Sequence, residues 1–245
     1  MTLRLAALAL SLCLSTAHAD LTVIVDAGHG GTSIVDESSP NNAQYPARGK
    51  AQFLEKDLTL SMAEAVADAI NSARGPGPRI RALLTRTRDV NVGMAERARI
   101  ATEANAAAFV SIHFNASGNH TAKGPLFMIQ DAQRGNRNVE RDTEFGQRLV
   151  RAIAAVSTRY DAGSTPRGRM TDRDFKGGRG SFLFKYLRRT EQGQQIPACF
   201  LEVDFLDNPA VVKWLLLRSD SRAIQKQIAQ AIAEATVAYL RAQNR

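Results

Sequence analysis

Short apolar runs alternate with longer amphipathic stretches along most of the chain. Runs with the length and composition of buried strands span residues 21–25, 79–86, 107–112 and 196–203. Stretches in which apolar residues recur every three or four positions, as in helices, span residues 55–71, 93–105, 143–159 and 219–240. Strands that alternate with helices predict an α/β fold, a single domain with a mainly parallel twisted sheet flanked by helices on both faces.

The remaining segments have weaker patterns. Residues 124–130 predict a further strand or a sheet edge, and residues 182–187 are apolar enough to dock on the core. Asn208-Pro209 is typical of the start of a short helix, which we expect to end near residue 217. Residues 32–52 predict a long surface loop, and residues 161–180 an exposed, flexible connection, because neither segment has an apolar period.

The first nineteen residues have the pattern of a secretory signal peptide. Arg4 supplies a basic start, residues 5–14 are apolar, and Ala17-His18-Ala19 is a small-residue cleavage signal. We therefore expect cleavage after residue 19, a mature domain over residues 20–245, and a periplasmic or extracellular location. The apolar run is shorter than the roughly 20 residues that span a bilayer, so no transmembrane anchor is expected after cleavage.

Composition and net charge indicate which classes of binding partner the protein can have. The 245 residues are 44% hydrophobic and 23% charged, which is ordinary for a globular protein. The formal net charge is +8, and loss of Arg4 with the leader gives +7. The surplus fits affinity for an anionic wall, whereas no aromatic-interleaved basic stretch supports nucleic-acid binding. Removal of Cys13 with the leader leaves Cys199 alone, so no intramolecular disulfide is expected. We separately expect a monomer.

Candidate metal-binding residues lie at the ends of the predicted strands. His29 follows the first strand in a glycine-rich turn, and His113 follows the third. Both should lie at the edge where open α/β sheets keep their ligand sites. Glu55, at the start of a helix, adds an oxygen, and two imidazoles with one carboxylate are a catalytic zinc ligand set. Glu202 lies in an apolar strand, where a carboxylate is costly unless it is paired or acts on a metal-bound water.

Five motifs, in this order, resemble those of the zinc-dependent N-acetylmuramoyl-L-alanine amidases, the cell-wall amidase_3 family. They are Asp26-Ala-Gly-His-Gly-Gly31, Glu55-Lys-Asp57, Leu84-Thr-Arg86, Ser111-Ile-His-Phe-Asn115 and Leu201-Glu-Val-Asp-Phe-Leu-Asp-Asn208. The likeness extends over about residues 21–240. It implies that one Zn²⁺ is bound by His29, Glu55 and His113, and that Glu202 is the catalytic glutamate. Peptidoglycan is the implied substrate, and an activator protein is a further partner that the resemblance allows.

The resemblance also implies the reaction. Water activated on zinc, with Glu202 as general base, would hydrolyse the amide between the lactyl group of N-acetylmuramic acid and L-alanine. Asn115 and Arg86 are candidates for orienting the substrate or the metal ligands. The simpler alternatives are a loop cap for Asn115 and a surface ion pair for Arg86, while His120 is expected to be a solvated loop residue. Two other functions stay open: a zinc peptidase acting on wall peptides, and a non-catalytic peptidoglycan-binding module.

Some positions depart from the family pattern. Ala27 replaces a proline, which should alter the stiffness of the turn, and Asp204 replaces a glycine and is expected to add a charge near the substrate groove. Residues 32–54 match the family's glycine-rich version poorly. Eighty-nine residues separate His113 from Glu202, enough for the inhibitory helix of some relatives. The predicted helix at 143–159 is either that element or an ordinary packing helix.

Overall fold

The computed structural model describes residues 20–174 and 181–243. Its eight strands are β1 (Leu21–Ala27), β2 (Gln44–Tyr45), β3 (Phe53–Leu54), β4 (Ile80–Leu84), β5 (Ala108–Asn115), β6 (Leu126–Ile129), β7 (Gly168–Thr171) and β8 (Ala198–Phe205). Its seven α-helices are α1 (Glu55–Ser72), α2 (Met94–Glu103), α3 (Val139–Ser157), α4 (Phe182–Leu187), α5 (Glu191–Gln195), α6 (Pro209–Leu215) and α7 (Ser221–Gln243). The predicted signal peptide lies outside the described residues.

Six strands form one sheet in the order β4-β1-β5-β8-β6-β7. The first four are mutually parallel, β6 runs antiparallel to β8, and β7 is parallel to β6. Strands β2 and β3 form a separate antiparallel pair. The predicted single α/β domain with a mainly parallel sheet is confirmed, and the carboxyl ends of β1, β5 and β8 meet at one edge.

Helices cover the sheet on both faces. Val23 and Val25 of β1 pack into a large apolar cluster with α1, α3 and α7. Ile24, which points to the opposite face, packs into a smaller cluster with α2 and α4. Burial on both sides explains why the central strands are continuous apolar runs rather than alternating ones.

Helix α3 is an ordinary packing helix. It begins at Val139, four residues before the predicted start, and buries Phe145, Leu149 and Ile153 in the larger cluster. Asn208 caps α6 as expected, since its Oδ1 accepts hydrogen bonds from two backbone N–H groups of the first turn. No helix in the described part of the chain has both the length and the apolar character needed to cross a membrane.

The expectation of a flexible connection at 161–180 is wrong for its described part. Residues Gly168–Thr171 form β7, the last strand of the sheet, and Ser164 and Asp172 are buried. A four-residue edge strand with two polar side chains has no apolar period, so the pattern along the chain cannot reveal it. Strand β6 also lies inside the sheet, between β8 and β7, and not at its edge.

We predict that Gly146→Ala destabilises the fold. A Cβ at Gly146 of α3 would lie 2.1 Å from Cδ2 of Phe127, a ring that is fully buried. Overpacking of this kind costs about 1–3 kcal/mol, which exceeds the gain of about 1 kcal/mol in helix propensity. Chemical denaturation should show the loss in the free energy of unfolding. Gly118→Ala, with nothing within 4 Å of its Cβ, is the matched control; an unchanged or raised stability of Gly146→Ala would contradict the packing described.

Candidate metal centre

Three side chains from three elements converge at the carboxyl edge of the sheet. His29 follows β1, Glu55 is the first residue of α1, and His113 lies near the end of β5. Glu55 Oε1 is 3.1 Å from His29 Nε2 and 3.0 Å from His113 Nδ1. One ligand atom from each residue lies within 4.8 Å of the other two, so this cluster can hold a metal ion.

Hydrogen bonds orient both imidazoles. His29 Nδ1 is 3.0 Å from the carbonyl oxygen of Ser39, to which it donates, so Nε2 carries the free lone pair. His113 Nε2 is 3.1 Å from Ser111 Oγ, which in turn donates to Asp26. The His113 lone pair is then on Nδ1. With these tautomers, His29 Nε2 and His113 Nδ1 both face Oε1 of Glu55.

The pKa shifts of Glu55 and His113 favour the protonation states that bind a metal cation. Burial opposes the charge on Glu55, but the imidazoles of His29 and His113 outweigh it and hold the pKa of this carboxyl well below its ordinary value. Burial lowers the pKa of His113 to about 4, so its ring is neutral at neutral pH. The backbone N–H groups of Phe114 and Ala43 donate to Glu55 Oε1 and Oε2. An anionic carboxylate beside a neutral imidazole is the protonation state that binds metals.

The glycines of the opening turn have different roles. A Cβ at Gly28 would lie 2.2 Å from Cε1 of His113, so glycine is needed there to make room for the imidazole. Gly30 and Gly31 have φ of +129° and +64°, and His29 itself has φ of +61°. Positive φ is what allows the chain to reverse at this point.

Two buried arginines hold this turn in place. Arg97 of α2 pairs with Asp26 and donates to the carbonyl oxygens of Ala27 and His29. Arg86 is 3% exposed and donates to the carbonyl oxygens of Ala27, Gly28 and Lys56. The alternative of a surface ion pair is therefore wrong for Arg86. Its guanidinium is buried, and it restrains the backbone of the turn through hydrogen bonds to carbonyl oxygens.

Glu202 lies directly beside His113. The two residues are register partners in the parallel pair β5–β8, so both side chains lie on the same face of the sheet. Glu202 is 8% exposed, and its Oε2 has no hydrogen-bond partner among the described residues. Burial, followed by the negative charge of Glu55, raises the pKa of Glu202 well above its ordinary value. A buried carboxylate oxygen left without a partner is free to act on a bound molecule.

The structure also tests what the sequence predicted for three other residues. Asp204 is fully buried and accepts hydrogen bonds from Ser164 Oγ and from the N–H groups of Gly124 and Phe205, so it adds no charge to the groove. His120 is not simply solvated, because its Nδ1 lies 2.6 Å from Asp207 Oδ2. Asn115 Oδ1 accepts a hydrogen bond from the N–H of Ala116, as a loop cap does.

Of the supporting residues Asp26, Ser111 and Arg97, only Asp26 carries a signal in the sequence. Asp26 is an acidic residue in an apolar strand, which is the feature that singled out Glu202. Its fully buried carboxylate needs donors, and Thr85, Ser111 and Arg97 supply them. Which residues these donors are becomes clear only from the folded chain.

A model of the Amidase_3 family, described as N-acetylmuramoyl-L-alanine amidase, matches residues 23–235. The chain belongs to this family. The match includes all three members of the metal cluster as well as Glu202. A curated protein of Buchnera aphidicola subsp. Baizongia pistaciae, whose name assigns it provisionally to the same amidases, is 27% identical over 122 residues. That alignment covers 49% of this chain and 49% of the relative, so the chain spans about half the length of the curated relative it matches.

Solved structures of this family share the fold. The catalytic domain of CwlV, an amidase from Bacillus (Paenibacillus) polymyxa var. colistinus, matches with a TM-score of 0.65 at 24% identity, over 92% of this chain and 99% of that domain. AmiC2 of Nostoc punctiforme matches with a TM-score of 0.61 at 26% identity, over 90% and 97%. The CwlD amidase from Clostridioides difficile, solved in complex with the GerS lipoprotein, matches with a TM-score of 0.65 at 22% identity, over 90% and 98%.

We predict that Ser111→Ala weakens metal binding. The change removes the acceptor that orients His113, and loss of such a partner typically costs 10–100-fold in metal affinity. Competition with a chromogenic chelator measures the affinity. Ser61→Ala, which removes an exposed hydroxyl from α1, is the matched control. An affinity equal to that of the wild type would show that Ser111 does not orient the imidazole.

We also predict that Gly28→Ala lowers the metal content of the purified protein. The added methyl group collides with the His113 ring and must displace it from the Glu55 carboxylate. Metal analysis of the dialysed protein should show at least a roughly tenfold weaker site, again with Gly118→Ala as the control. Full occupancy in Gly28→Ala would mean that the ring does not need this space.

Proposed function

We propose that the chain is a zinc-dependent N-acetylmuramoyl-L-alanine amidase. In this proposal it is a hydrolase that cleaves the amide bond between the lactyl group of N-acetylmuramic acid and the L-alanine of the peptidoglycan stem peptide. The observation that carries the proposal is the His29–Glu55–His113 cluster with an unpartnered glutamate oxygen beside it, in a chain of this family.

The donor set fits zinc. Two imidazole nitrogens and one carboxylate oxygen are the protein ligands of many catalytic zinc sites, which keep a further position open. The hydrogen bonds to Ser39 and Ser111 leave the lone pairs of His29 Nε2 and His113 Nδ1 facing Glu55 Oε1. A single cation shared by these three atoms would satisfy all of them.

When bound, a zinc ion supplies Lewis-acid chemistry, since it lowers the pKa of water and stabilises negative charge on a carbonyl oxygen. In the proposal Glu202 handles the protons. Its free Oε2 takes the proton of the attacking water and later gives it to the nitrogen of the departing L-alanine. Glu202 is buried beside His113, which limits competing contact with bulk water.

The chain's own groups also restrain the ligands. Phe200 stacks on a face of the His113 ring with centroids 3.7 Å apart, and Ser111 contacts the edge of that ring at Nε2. Arg86 and Arg97 fix the backbone on both sides of His29. In the proposal Arg86 thus positions a ligand and Asn115 shapes the loop next to the site.

The rival functions differ in their products. A peptidase acting on wall peptides would leave the bond between the lactyl group and L-alanine intact, and a binding module would release nothing. We further propose that residues 1–19 are a cleaved signal peptide and that residues 20–245 act at the cell wall outside the cytoplasm, as expected for a peptidoglycan hydrolase.

We predict that Glu202→Gln and His29→Ala separate proton transfer from metal binding. Glu202→Gln should keep the metal and lose about 10²–10⁴-fold in the hydrolysis of purified peptidoglycan, because it removes the proton acceptor. His29→Ala should lose both metal and activity, because a ligand is gone. Mass spectrometry of the digests, with and without a chelator, identifies the bond cleaved and its dependence on the metal.

Glu64→Gln, on the exposed side of α1, is the matched control and should behave as the wild type. Full activity of Glu202→Gln would refute the role of Glu202. A wild-type digest without newly freed L-alanine amines would refute the amidase proposal itself.

A further inference from the structure

A β-bulge brings an aromatic ring to the catalytic face just beyond Glu202. His113 pairs with Glu202, but the next pair along the strands is Asn115 with Phe205, so β8 has one extra residue there. Such a bulge changes which face the following side chains occupy. Phe205 therefore lies beside Asn115 on the face that carries His113 and Glu202, about 7 Å farther along the strand.

Arg167 lies over this ring. Its guanidinium carbon is 5.4 Å from the centroid of Phe205, a cation–π distance. Its backbone N–H donates to Pro125 O at 2.8 Å, and its Nη1 is 3.5 Å from Lys123 O. The side chain is exposed. Arg167 is thus an exposed cation whose position is restrained from two sides.

Acidic residues close in sequence to Arg167 or to Phe205 make contacts with other groups. Asp161 pairs with Lys123 Nζ at 2.8 Å, and Asp204 accepts from backbone N–H groups and from Ser164. Asp207 accepts from the Ser117 N–H and faces His120. Within residues 20–174 and 181–243 no carboxylate lies within 4 Å of the Arg167 guanidinium. The positive charge is held in place without a counter-charge.

We propose that Arg167 binds a carboxylate of the stem peptide and so makes the enzyme selective for peptides with free acidic groups. This inference rests on the proposed amidase function. The carboxyl group of muramic acid is used up in the scissile amide, and the N-acetylated sugars are neutral. Free carboxylates of the substrate therefore lie in the peptide that follows L-alanine. A planar guanidinium is well suited to bind one of them through two parallel hydrogen bonds.

Binding of two matched muropeptides tests the proposal. One keeps its peptide carboxylates and the other has them converted to amides, and both are titrated by calorimetry into zinc-loaded protein carrying Glu202→Gln, so that no turnover occurs. Adding Arg167→Gln should raise the Kd for the free-carboxylate muropeptide about five- to tenfold, as expected for one charge-assisted contact at an exposed site. The Kd for the amidated muropeptide should change less than twofold.

The matched control is Arg169→Gln. Arg169 is also exposed and lies two residues away, but its guanidinium contacts Thr143 of α3, on the far side of the sheet. It should leave both Kd values unchanged. In the active enzyme, Arg167→Gln should raise KM for the free-carboxylate substrate and leave kcat unchanged, because the contact is remote from the scissile bond.

Several results would overturn the inference: an equal loss for both muropeptides, no loss for either, the same loss with Arg169→Gln, or no binding of the free-carboxylate muropeptide before Arg167 is changed. Failure of the amidase proposal looks different, because the wild-type protein would then bind the muropeptide without freeing the L-alanine amine.

Discussion

The carboxylate of Asp26 connects the elements that surround the metal centre. It is 1% exposed and accepts hydrogen bonds from Thr85 after β4, Ser111 of β5 and Arg97 of α2. Removing one partner of a buried charge pair typically costs about 3–5 kcal/mol, because the other charge is left in a low-dielectric interior. Ser111 also contacts Nε2 of His113, and Arg97 also donates to the backbone carbonyl of His29. The positions of both imidazoles thus depend on one ion pair that contacts neither of them directly.

The two faces of β5 carry different side chains near the metal centre. In β5, Val110 and Ile112 point into the larger apolar cluster, whereas Ser111 and His113 point to the opposite face and into the polar network. Alternation along a strand lets successive residues serve different purposes without competing for space. The larger cluster stabilises the sheet from the face opposite the imidazole of His113.

Much of this arrangement is predictable from the chain alone. Strands β1, β5 and β8 are strong apolar runs because both of their faces are buried, and the residues of the cluster follow from their places at strand and helix ends. The charge of Asp204 was wrongly expected in the groove, because its three donors come from segments up to 80 positions away. The same limit explains Gly28. Its contact with the His113 ring joins β1 to β5, and no pattern within either segment encodes it.

The carbonyl groups of the opening turn bear on the composition of the ligand cluster. Those of Ala27, Gly28 and His29 all point toward the guanidinium groups of Arg86 and Arg97. These oxygen atoms accept hydrogen bonds from the arginines and do not belong to the ligand cluster. The cluster consists of two imidazole nitrogens and one carboxylate. Calcium needs six to eight oxygen ligands, and magnesium prefers an octahedron of oxygens. By occupying these carbonyl oxygens, the two arginines leave a ligand set with fewer oxygen atoms than either of these ions prefers.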